Sequence, residues 1–268
     1  MEFSLTRVGD ENMHLYDSEI ESRIQLVFVP GVFSAEAWKY QVNYFSEDYR
    51  TVTYQPTVSN RGFEGHRKAL KQIINQDEMD NIVLIGANYS NSLVQGFEAH
   101  ESVSATVVGG AKKKLKKGIP KEVYQGLTSG VFPVKLFKKL FMKSMRYKEV
   151  RSFCKDVSFL DFNDFKSFQE RFGVRKPEKE CMIVHATRDI FSDRGYAKNL
   201  MSSASVSEVE SGVFSFYEKP QEFNKILNDF LIKIERKAIK EKIEEEKENN
   251  KTLVDFENGK RLAKVNQE

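Results

Sequence analysis

The sequence predicts an α/β fold, a mostly parallel central sheet with helices on both faces, and two observations carry that expectation. Apolar runs of strand length alternate with longer amphipathic stretches from residue 24 to 110, and again from 181 onward. The run NIVLIG, ending at Gly86, passes through the small or polar Ala87, Asn88 and Ser90 directly into an apolar-periodic stretch, which is the pattern of a sharp strand-to-helix turn. A chain of 268 residues, 40% of them hydrophobic, can bury one large core, so a single domain with additions is expected.

Phe3–Val8 and Met13–Tyr16, split by Gly9-Asp10-Glu11-Asn12, read as an opening β-hairpin. Ile24–Val29 is a continuous apolar run suited to a strand buried on both faces. After Pro30-Gly31-Val32-Phe33-Ser34, the stretch AEAWKYQVNYF sets Ala37, Trp38, Val42 and Phe45 on one helical face. Tyr49–Tyr54 alternates as a strand, and His66–Gln76 reads as a helix with Leu70, Ile73 and Ile74 inward. Ala105–Val108, ending in Gly109-Gly110, is the strand after the sharp turn.

From 112 to about 179 the alternation stops. Lys135–Lys148 reads as one helix, with Leu136, Phe137, Leu140, Phe141 and Met145 on one side and Lys135, Lys138, Lys139, Lys143 and Arg146 largely on the other. Asn163 is the expected N-cap of a helix that turns Phe165, Phe168 and Phe172 inward. Strands resume at Cys181–Ala186, followed by a helix from about Asp193 to Ser202, a strand at Ser205–Glu210 and a terminal helix. That helix runs on past 235 as a charged, solvated segment whose Lys-before-Glu spacings are the weaker i,i+4 orientation, and a loose tail is expected from about Asn250.

The turn Gly86-Ala87-Asn88-Tyr89-Ser90 resembles the G-x-S-x-G nucleophile elbow of the α/β-hydrolase superfamily, with Asn88 at the nucleophile and Ser90 at the second glycine. Asn is the non-glycine residue that best tolerates positive φ, so the turn survives the change, whereas a carboxamide cannot attack a carbonyl. Pro30-Gly31-Val32 resembles the family's His-Gly loop, and the resemblance implies oxyanion-hole-like backbone donors at Val32 and Tyr89. Asp189, in the turn after Cys181–Ala186, stands where the family carries its acidic triad member. Gly212, Glu218 and Pro220 keep the frame of the last triad segment, with Val213 in place of the histidine. The resemblance covers roughly residues 1–235. It implies a core in two parts, 1–111 and 180–235, and a helical basic cap or lid over 112–179; beyond it, the charge density over 236–268 gives a charged helical extension and flexible tail. The implied candidate pocket comprises Gly31, Phe33, Asn88, Ser90, Asp189 and Phe214.

Acyl transfer on this fold needs a nucleophile, a base and a carboxylate that orients the base, and of these only Asp189 remains. Ser90 is read as a small packing residue or cap, and His185 as a buried structural histidine. His14, His66 and His100 have no metal-site spacing, and no phosphate loop or dinucleotide glycine pattern occurs, so neither a metal nor a cofactor is expected. The favoured reading is a catalytically silent, hydrolase-like protein that binds a small molecule or a protein through its pocket or cap. The alternatives are an esterase- or lyase-type enzyme with a non-standard site, and an interaction or membrane-surface protein that uses the basic cap.

The net charge of +3 is unevenly spread: Lys112–Lys148 holds twelve Lys or Arg against Glu122 alone, so this segment carries +11 and the remainder −8. The bland reading is a solvated face over a roof of Leu and Phe; the other is a surface for an anionic membrane or an acidic partner. Nucleic acid is disfavoured because no nucleic-acid-binding pattern accompanies the charge. Cys154 and Cys181 form no disulfide framework or metal motif, and the first twelve residues lack an apolar signal core, so a cytoplasmic protein is expected.

Overall fold

Among the described residues, the segments read as strands pair into one eight-stranded sheet. The computed structural model describes residues 2–57, 61–76, 79–113, 119–128, 134–157, 160–190, 192–200 and 202–265, with backbone alone at 11, 127–128, 156 and 245–265. Strands β1 (Ser4–Val8) and β2 (Glu11–Asp17) make the expected antiparallel hairpin, and β2 pairs antiparallel with β4 (Arg50–Pro56). The remaining strands, β3 (Gln25–Phe28), β5 (Ile82–Ala87), β6 (Val103–Gly109), β7 (Glu180–Ala186) and β8 (Ser205–Val209), run parallel, in the order β1-β2-β4-β3-β5-β6-β7-β8. β3 and β5 are buried along their whole length, because parallel strands joined by crossover helices are covered on both faces.

Three helices dock early in the chain: α1 (Lys39–Phe45), entered through a 3-10 turn at Ala35–Trp38, α2 (Phe63–Ile74) and α3 (Asn91–Gly96). Trp38 is fully buried; its indole N–H donates to Val29 O at 3.2 Å and its ring stacks on Phe216 with 4.1 Å between centroids. α2 buries Leu70, Ile73 and Ile74 as its periodicity requires.

Between β6 and β7 lie α4 (Lys121–Thr128), α5 (Val134–Phe141), α6 (Tyr147–Asp156) and α7 (Phe162–Gln169). The single helix expected over 135–148 is broken. Met142 is pulled into the interior, the Lys138 ammonium bonds Lys143 O, and the Glu149 carboxylate accepts from Arg146 N to begin a new helix. The expected apolar side also divides: Phe137 and Phe141 are buried, Leu140 and Met145 are half-buried, and Leu136 points to solvent at 39% exposure. The N-cap of α7 is Asp161 rather than Asn163, since the Asp161 carboxylate accepts from the backbone N–H groups of both Asn163 and Asp164. Phe165, Phe168 and Phe172 face inward as expected. Lys114, Lys116 and Lys117 of the basic segment lie outside the described residues.

The chain ends with α8 (Arg194–Asn199), α9 (Ser215–Glu218) and α10 (Pro220–Val265). The compact unit closes at Leu227, and Asn228–Glu268 form a second unit. The helix therefore passes Asn250, where a loose tail was expected, because Lys, Glu, Arg, Leu and Ala dominate 251–265 and outweigh the one glycine. Lys240 and Glu244 form an i,i+4 pair at 3.8 Å in this unit. Among the described residues, no helix is long and apolar enough to cross a membrane.

Candidate functional site

The chemistry of the sharp turn is visible residue by residue. β5 runs into a single 3-10 turn, Asn88–Ser90, and then α3, with Asn88 at φ 53°. Gly86 is needed for close approach: a Cβ there would stand 2.6 Å from Val94 Cγ2 and 2.8 Å from Ser90 Oγ. Ser90 is fully buried, and its hydroxyl accepts from Ala87 N at 2.8 Å and donates to Ala87 O at 3.1 Å. Both of these bonds close within the turn itself. Gly31, at φ 72°, lies against the same residue; a Cβ on it would be 2.8 Å from Ser90 Cβ. The loop from Gly31 to Phe33 is thus set directly beside the turn.

Asn88 is buried, and its Nδ2 donates to Val213 O at 2.9 Å, while its Oδ1 has no hydrogen-bond partner among the described residues. Asp189 approaches from the loop after β7. A methyl group built on Gly110, itself at φ 80°, would lie 3.0 Å from Asp189 Oδ2 and 3.3 Å from Asn88 Oδ1, so the two side chains converge on that glycine. Asn88, Asp189 and Val213 are brought together, with Gly31, Val32, Phe33, Ser90 and Phe214 around them and all buried. Tyr89 turns toward α7, packing edge-on against Phe165 and Phe172 at 5.0 Å each; burial, and then the Asp189 charge, push its phenol above the usual range.

Phe214 fills the space beside Val213. Its ring lies 5.7 Å from Phe33, 5.0 Å from Phe153 and 6.3 Å from Phe137, so α5 and α6 meet the core there through aromatic packing. The backbone closes the same contact: Val213 N donates to Phe141 O at 2.8 Å, Ser144 N donates to Glu218 Oε2 at 3.0 Å, and Ser144 Oγ donates to Glu210 O at 3.2 Å. A Cβ on Gly212 would stand 2.3 Å from Phe141 O, so the approach is possible only without a side chain. Burial raises the Glu218 carboxyl above the usual range, opposed by the backbone N–H groups of Ser144, Gly212 and Phe214. Glu218 was legible in the sequence as part of a frame, but nothing local signalled that it holds Ser144.

His185 is committed elsewhere. Its Nδ1 is 2.7 Å from Ser192 Oγ, which also accepts from Ala111 N at 3.2 Å, and burial lowers the imidazole pKa. The pair ties the loop after β6 to the loop after β7. Among the described residues, no group of His, Cys, Asp and Glu is arranged to hold a metal ion.

The eight-stranded, mostly parallel sheet and its flanking helices match the fold of solved structures. The chain has the α/β-hydrolase fold. It superposes on a hydrolase from Pseudomonas aeruginosa PA01 with TM-score 0.64 and 12% identity, over 86% of this chain and 97% of the other. An esterase from Exiguobacterium antarcticum matches with TM-score 0.63 and 16% identity, over 85% and 98%. The enol-lactonase from Burkholderia xenovorans LB400 matches with TM-score 0.64 and 13% identity, over 86% and 100%. Neither a protein-family model nor a curated protein sequence matches the chain.

Proposed function

We propose that this α/β-hydrolase-fold protein is catalytically silent and acts by binding, with its cap held closed over the former active site. One observation carries the reading: the side chain at the nucleophile position is a carboxamide whose N–H₂ is spent on the carbonyl of Val213, the residue at the histidine position. A group that attacks must be free to lose a proton to a base, and here the two positions are bonded to each other through groups that can do neither. The substitutes are also engaged, Ser90 with Ala87 and His185 with Ser192. The packing of Phe33, Phe137, Phe153 and Phe214 favours a partner recognised by the outer surface over a small molecule held beside Asn88.

The test is covalent and kinetic. The protein is expected to take no label from a serine-directed fluorophosphonate and to turn over no short activated ester beyond a heat-denatured control. Stoichiometric labelling of Ser90 or Ser192 would overturn the proposal. Combining Asn88→Ser with Val213→His restores nucleophile and base beside Asp189, and only the pair should raise ester hydrolysis, since triad members act as a unit.

A further inference from the structure

The two helices that roof the site, α5 and α6, carry a basic outer surface. They pack on each other and share a contact with the core: Phe137 lies 6.2 Å from Phe153, and both rings reach Phe214. Their inner faces are therefore fixed, and their opposite faces point away from the same interior. On α5 the outward arc carries Lys135, Leu136 and Lys139; on α6 it carries Tyr147, Lys148, Arg151 and Lys155, and Lys143 and Arg146 are exposed in the turn between. None of these seven cations forms an ion pair among the described residues. The one exposed acid among the described side chains of 134–157 is Glu149, already occupied with Arg146 N.

We infer that this face of α5 and α6 is a docking surface for the anionic headgroups of a lipid bilayer. Five of the seven cations are lysines, compact charges on flexible stems, which suit a fluid layer of headgroups; recognition of a fixed phosphate or base favours the rigid fork of arginine. Among the charges stand Leu136 and Tyr147, 39% and 38% exposed, an aliphatic and an aromatic side chain of the kind that lodges at the boundary of headgroup and acyl chain. Arg151 lies over the Tyr147 ring at 5.4 Å, so the aromatic group is presented with its cation. The same surface leaves the buried site untouched, so the inference stands or falls separately from catalytic silence.

Cosedimentation of the full-length protein with vesicles tests it. Binding is expected to vesicles of phosphatidylcholine mixed with phosphatidylserine, not to phosphatidylcholine alone, and to be lost at high salt, where the attraction is screened. The triple variant Lys135→Glu, Lys139→Glu, Lys143→Glu should bind at least on the order of a hundredfold more weakly with an unchanged melting temperature, as all three side chains are exposed. Leu136→Ser should weaken binding while leaving its salt dependence intact. The inference is overturned by failure of the wild type to bind the anionic vesicles at low salt, or by equal binding of the triple variant. Tighter binding to polyglutamate or to a short DNA duplex than to the vesicles also overturns it, since the face would then serve an acidic protein or nucleic acid.

Discussion

Replacing Asn88 by Ala and, separately, by Gly isolates the left-handed backbone of the elbow. Both changes delete the Nδ2 bond to Val213 O and leave that buried carbonyl unpaired, a loss of ~1–3 kcal/mol in each, partly offset because the unpartnered Oδ1 goes too. What differs is φ 53°: Ala suffers ~1–2 kcal/mol there from the contact of its Cβ with the following carbonyl, and Gly does not. Gly in turn loses ~0.5–1 kcal/mol through its freer unfolded chain. The balance makes Asn88→Ala less stable than Asn88→Gly by about 1 kcal/mol, the reverse of the order found in helices and strands, and worth roughly 2–4 °C in a domain of this size. Urea unfolding followed through Trp38, the single tryptophan, measures it. If Asn88→Ala equals or exceeds Asn88→Gly in stability, residue 88 is not held in the left-handed region and the elbow assignment fails.

Gly86→Ala is expected to destabilise by ~1–3 kcal/mol, because its methyl would meet Val94 Cγ2 at 2.6 Å and Ser90 Oγ at 2.8 Å; adding Val94→Ala should recover part of the loss in the same melts. His66 is fully buried with neither ring nitrogen bonded among the described residues, and burial, helped by the Arg61 charge, lowers its pKa to about 3. Its folded pKa lies below the unfolded value of 6.5, so stability present above pH 6.5 is lost as pH falls toward about 3; His66→Phe, between Tyr54 and Phe168, should flatten that acid limb in pH-dependent unfolding. Glu218 has the opposite sign, since burial raises its folded pKa, and its ionisation removes stability as pH rises from the ordinary carboxylate range through the raised value. Glu218→Gln, which can still accept from Ser144 N, should show no such decline; a parallel pH profile in variant and wild type would mean that folding does not shift the ionisation of Glu218.

The strands, their parallel arrangement and the elbow were legible in the residue order, because each rests on local chemistry. Unbroken apolar runs such as Ile82–Ile85 demand burial on both faces, and the Gly86-to-Ser90 turn needs a small residue against the helix and Asn88 at positive φ. Asp189 and Val213 fall on the loops that follow β7 and β8, whose starts the strand ends fix. The inserted helices were not legible to that depth. Over 134–157 apolar and basic residues recur on more than one helical arc, so the inward turn of Phe137 and Phe141, the break around Met142 and the exposure of Leu136 were decided by the core surface on which they pack, above all Phe214. The bond from Ser144 to Glu218 joins residues 74 apart, and no pattern at either end names the other. What the sequence determined by itself was the order of strands and the sharp turn after β5; only tertiary packing decided that Phe141 meets Val213 and that the lysines of α5 and α6 turn outward, because which side of an amphipathic helix is buried depends on the surface it meets.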